Sequence, residues 1–156
     1  SRQELLNKAK FQYDAAFHLL NLTYPLVQDQ KLLVGIITNL FTSMEASMDA
    51  LLTYEREQHA VPAYSTHILG RLDVLRRIVA SRHNLSKGHL DLLQSLYEVI
   101  ELHKQSPVEF NRGDRFVICS KEYTLRYLSQ KDVREWLNHC KEFMENVQKI
   151  MVLEKV

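Results

Sequence analysis

The stretch SQKDVREWLNHCKEFMENVQKIM, residues 129–151, decides how the chain is read. Val133, Leu137, Cys140, Met144, Val147 and Met151 recur at alternating three- and four-residue steps, and Trp136, Phe143 and Ile150 widen the stripe on one side. That spacing places all nine side chains on one face of an α-helix and leaves the charged residues on the other. Ser129, three residues before Asp132, supplies the polar start that a helix N-terminus favours.

Working outward, the same period recurs four times. Ser1 with Glu4 reads as a capping box ahead of Leu6, Ala9, Tyr13, Ala16 and Leu20, a helix expected to end near Tyr24. After Asp29, Leu33, Ile37, Leu40, Met44, Ser47 and Leu51 repeat the spacing, with Ile36, Phe41, Met48 and Leu52 broadening the apolar face of a long second helix. Ile68, Leu72, Leu75 and Val79 mark a third helix. The polar residues 81–87 interrupt the pattern before Leu90, Leu93, Tyr97 and Ile100 resume it as a fourth, with Ser86 as its candidate cap. Pro25, Pro62 and Pro107 fall between these segments, where a missing amide donor breaks no helix. Beyond Pro107 the period drops to two through Val108, Phe110, Phe116, Ile118, Tyr123, Leu125 and Tyr127, with residues 111–114 (Asn-Arg-Gly-Asp) as a tight turn. The predicted fold is mainly α: an up-and-down bundle of about five helices, one domain over residues 1–156, with a small β-hairpin insert near residues 108–127.

Composition narrows the function classes. Twenty basic residues against nineteen acidic ones give no global field that would draw the molecule to polyanions, so nucleic-acid contact requires a local cluster. Cys119 and Cys140 are far apart in sequence and the N-terminus is not leader-like, so a reducing, cytoplasmic setting is expected. No apolar run approaches the roughly 18 residues of a membrane span. The four glycines are scattered and form no phosphate-cradling loop, and no cofactor is expected. Seven histidines show neither paired cysteines nor a helical His-Glu-x-x-His pattern, so no metal site is expected from spacing.

The local cluster is basic: Arg71, Arg76, Arg77 and Arg82 along the third helix, followed by Lys87, form a candidate phosphate-binding patch. The plainer reading is a solvated helix face whose positive end complements the helix dipole. Glu45, inside a run of small and apolar residues from Thr42 to Ala50, is a candidate inward-facing partner for an arginine or histidine.

The segment RHNLSKGH, residues 82–89, resembles the signature of the HEPN superfamily (higher eukaryotes and prokaryotes nucleotide-binding domains): an arginine, commonly followed by a polar residue, then a histidine after four to six intervening positions, six of which separate Arg82 from His89. Helical bundles of about five helices are the rule in that family, many members being dimeric ribonucleases and others binding nucleotides or RNA. The resemblance implies RNA or nucleotide binding, with metal-independent endoribonuclease activity within a toxin–antitoxin or defence module as the fuller expectation. Arg82 would hold the phosphate and His89 would take the 2′-hydroxyl proton, while His83 and Glu45 would orient them. Such chemistry is reasonable for a histidine working near neutral pH beside an arginine. Two motifs meet across a dimer in the family, so a homodimer is implied. The sheet-forming insert is an addition that the basic bundle does not require. A non-catalytic helical module that binds a partner protein through the last helix or the hairpin edge is the alternative, and a small-nucleotide binder that cleaves nothing is a third reading.

Overall fold

A computed structural model describes residues 1–153 as five helical rods and a three-stranded sheet around one core. The first rod begins at α1 (Arg2–His18), where Ser1 Oγ accepts a hydrogen bond from the Glu4 amide at 3.3 Å and the reciprocal bond completes the capping box. It does not stop at Tyr24. A π turn over Leu19–Thr23 inserts one residue, with the Tyr24 amide donating to Leu19 O, and α2 (Tyr24–Val27) continues with Pro25 in its first turn. Pro25 therefore lies inside a continuous rod, directly after the π turn, where its missing amide leaves one gap in the hydrogen-bond ladder. The rod ends at Gln28, which takes the left-handed conformation at φ 54°.

The second rod, α3 (Leu32–Glu57), is the axis of the molecule. Its 26 residues extend about 39 Å at 1.5 Å per residue. It packs against α1 and two later helices, α6 (Lys87–Gln105) and α7 (Gln130–Leu153). Leu33, Ile36, Ile37, Leu40, Met48 and Leu51 have no accessible surface. Small residues let α1 come close: Ser43 Oγ donates to Ala9 O at 2.7 Å in the buried seam.

The third rod runs from α4 (Ile68–Val74) through a second π turn at Leu75–Val79 into α5 (Ala80–His83). The polar stretch expected to break the pattern from Ser81 onward is therefore helical as far as His83. The break is made by Asn84, left-handed at φ 54°, after which Ser86 in extended conformation starts α6. Ser86 occupies the cap position, but its side chain makes no cap hydrogen bond; its carbonyl accepts from the His89 and Leu90 amides instead.

The insert is larger than a hairpin. Strands β1 (Val108–Arg112), β2 (Arg115–Cys119) and β3 (Leu125–Ser129) form an antiparallel meander in the order β1-β2-β3, with Phe110 opposite Val117 and Phe116 opposite Leu128. Gly113, at φ 64°, and Asp114 connect Arg112 to its partner Arg115, so the turn is two residues long. The third strand exists because Leu128 is needed inside: Phe116, Ile118 and Leu128 join the helical core. β3 then runs straight into α7, where Ser129 Oγ accepts from the Asp132 amide at 3.1 Å. Val133, Leu137, Cys140, Phe143, Met144, Val147 and Met151 on α7 are all buried, as their spacing requires. Among the described residues no helix is long and apolar enough to cross a membrane.

Candidate functional site

The break between α5 and α6 is organised by a residue the sequence pattern did not single out. Glu55, on the last turns of α3, is 2% exposed, and both of its carboxylate oxygens are occupied. Arg82 donates to Oε2, and Oε1 meets Nε2 of His83. A buried carboxylate is tolerable only with such partners, because an unpaired charge in a low-dielectric interior costs several kcal/mol. Arg82 also donates to Ala60 O at 3.2 Å. Its side chain is nevertheless 41% exposed, although Nη1 and Nη2 are both hydrogen-bonded. His83, by contrast, is 7% exposed.

Glu45 takes a different place from the orienting role beside Arg82. One α3 segment earlier, Arg71 of α4 donates to Glu45 Oε2 at 2.7 Å and to both oxygens of Asp49 at 2.7 and 2.8 Å. Burial disfavours the charged Arg71 guanidinium, but its hydrogen bonds to Asp49 and Glu45 outweigh this and hold its pKa above the ordinary arginine value. The network straps α4 to the middle of α3.

The rest of the basic cluster is also matched locally. Arg76 donates to Asp91 Oδ1 at 2.6 Å and to Gln94 Oε1 at 2.9 Å, joining the third rod to α6. Arg77 pairs along its own helix with Asp73 at 2.9 Å, and Lys87 is exposed at the start of α6. Each of the four arginines thus has an acidic partner, and the positive field of the patch is weaker than the sequence suggests.

His89, in the first turn of α6, is turned toward α7. Its Nε2 lies 3.0 Å from Glu142 Oε2, and its ring centroid is 5.7 Å from that of His139, in a tilted contact, and 6.2 Å from that of Phe143, in a T-shaped one. The residue is 6% exposed, and its Nδ1 is buried without a partner. His139 Nδ1 approaches the same Glu142 oxygen at 3.5 Å. Hydrogen bonding from His89, aided by His139, lowers the pKa of the Glu142 carboxyl below the ordinary glutamate value. Arg82 and His89 therefore end on different carboxylates carried by different helices, α3 and α7, and share no partner in one subunit. Local spacing pairs His139 with Glu142, three residues apart on α7, but cannot bring in His89, which is fifty and fifty-three positions from them.

Glu55 was legible in principle. It lies four residues after Leu51 and three after Leu52, on the buried stripe itself. The two cysteines are buried and unbonded, and burial pushes the Cys140 thiol well above its ordinary pKa, so it is no nucleophile. A separate cleft of about 550 Å³ lies between α3, α6 and the sheet, lined by Lys31, Thr38, His103, Glu109 and Phe116. His103 Nδ1 and Glu109 Oε1 pair there at 2.7 Å. Compared with known proteins, the chain matches no family model and shows no significant similarity to a curated protein.

Proposed function

We propose that this domain binds RNA or a nucleotide, with Arg82 as its phosphate contact, in the manner of the HEPN superfamily that residues 82–89 resemble. The observation that carries the reading is the grip on Arg82. Glu55 takes a hydrogen bond from Nη1 and the Ala60 carbonyl one from Nη2, which leaves further N–H donors on a side chain that is 41% exposed. A side chain already fixed by a buried acid loses little entropy when it meets phosphate oxygens, and the planar fork suits them. Lys87, three residues past Asn84, adds exposed positive charge.

Endoribonuclease activity, in a cytoplasmic toxin–antitoxin or defence setting, is the fuller form of this reading. It asks His89 to leave Glu142 and accept a 2′-hydroxyl proton. Because Arg82 and His89 have separate partners within one subunit, the composite site would be built by a homodimer, one motif from each copy.

The test is fluorescence anisotropy with a labelled single-stranded RNA over a salt series, with cleavage followed in chelator and mass measured by light scattering. Binding that weakens with salt and falls several-fold in Arg82→Lys, which keeps charge but loses the fork, supports the reading. Absence of binding at low salt rejects it. A protein-interaction module is the second reading, favoured by exposed Phe11, Leu22, Leu26 and Val27 on the first rod. It gains if the protein ignores RNA.

A further inference from the structure

His89, His139 and Glu142 each offer one ligand atom, and all three atoms lie within 4.8 Å of one another. Glu142 Oε2 is 3.0 Å from His89 Nε2 and 3.5 Å from His139 Nδ1. A tetrahedral ion with bonds of about 2.0–2.2 Å separates neighbouring ligand atoms by about 3.3–3.6 Å, close to the two Glu142 distances, and side-chain rotation would draw in the two imidazole nitrogens, which lie within 4.8 Å of each other. From these distances we infer that α6 and α7 carry a divalent transition-metal site, in which His89, His139 and Glu142 supply three ligands and water the fourth.

The chemistry selects the class of ion. Two imidazoles and one carboxylate suit zinc and its borderline neighbours, whereas magnesium and calcium prefer all-oxygen shells. Two ligands come from one helix face, three residues apart on α7, and the third from α6, so a bound ion is a clip between helices. His139 and Glu142 are more than half exposed, which admits the ion and its water, while buried His89 anchors the inner side. A neutral His89 must carry its proton on Nδ1 to offer Nε2 to a metal. That nitrogen has no partner, and the missing support behind the ligand lowers affinity about 10–100-fold relative to a fully braced histidine. A moderate, exchangeable site is therefore expected. Arg82 takes no part, so the inference is independent of the nucleic-acid reading; an ion on Nε2 would, however, block His89 as a proton acceptor.

The test uses the whole chain, freed of metal by chelator and dialysed. Titration with Co²⁺ should bring visible absorption bands typical of four-coordination, Zn²⁺ should displace them, and Zn²⁺ but not Mg²⁺ should raise the melting temperature. His139→Ala, a change at an exposed position, and Glu142→Gln should each weaken Zn²⁺ binding by about tenfold or more and remove the thermal shift. Lack of Co²⁺ bands and of a Zn²⁺ shift up to millimolar metal, or binding that survives unchanged in both variants, overturns the site. Loss of RNA binding in Arg82→Lys with Zn²⁺ binding intact would keep the two sites distinct.

Discussion

Two histidine–carboxylate contacts in this molecule share a buried histidine but differ in where the acid lies. At the end of α3 the carboxylate is inside: Glu55 is 2% exposed and meets Arg82 and His83. Between α6 and α7 the histidine is inside, and its acid, Glu142, is 59% exposed. The difference matters because a carboxylate in the interior has no water to fall back on, whereas a buried imidazole can remain neutral and an exposed carboxylate is solvated whether paired or not. The first contact should hold the fold, and the second should be free to exchange partners.

The largest effect should come from Arg82→Ala, which leaves Glu55 with His83 alone. It should cost about 2–4 kcal/mol in urea denaturation, less than a fully buried pair because Arg82 is partly exposed. Adding Glu55→Gln removes the stranded charge, so the double variant should recover part of the loss in a mutant cycle. A single-variant cost no larger than a surface pair's would break the contrast.

Next in size is His89→Ala, measured with chelator present. Glu142 simply returns to water, so the cost is the lost packing against Phe143 and the small void, about 1–2 kcal/mol. A larger loss would mean that Glu142 depends on His89 more than its exposure implies.

Removing the exposed acid by Glu142→Ala should change stability by no more than about 0.5 kcal/mol. The smallest signal is electrostatic. Carboxyl NMR in metal-free buffer should show Glu142 titrating below its ordinary value of 4.5, and His89→Ala should move the midpoint back up. Since the folded pKa is the lower one, any stability from this contact is in place above the ordinary carboxylate range and is lost as pH falls through the depressed value. An unshifted Glu142 would show that the His89 contact is not maintained in solution.

The rods and their faces were legible from apolar spacing because burial follows helix periodicity directly. Two of the three sequence-read starts, Ser1 with Glu4 and Ser129 with Asp132, rest on contacts within four residues and appear as expected, whereas Ser86 holds the cap position without a side-chain bond. The two π turns were invisible, since one inserted residue shifts the stripe without erasing it, and Pro25 therefore looked like a boundary. The third strand was visible as alternation through Leu125 and Tyr127 but was folded into the description of a hairpin. In the candidate site Arg82 and the break before α6 are apparent from the sequence, whereas the acid that meets Arg82 is Glu55 and not Glu45, which pairs with Arg71.

By itself, then, the amino-acid sequence determined which faces of the five helical segments are apolar, where most segments start, and that the region near residues 108–127 forms strands, because each depends on neighbours within about one turn or one pleat. Only the tertiary structure decided which charges meet. Glu45 and Glu55 share α3, ten residues apart, and their partners follow from where the third rod lies against it, giving Arg71 to the first and Arg82 with His83 to the second. His89 likewise meets Glu142 and His139 only because α6 and α7 are neighbours in space. Helical periodicity says that a side chain points inward or outward; the identity of what it meets depends on packing between distant segments, which no local pattern records.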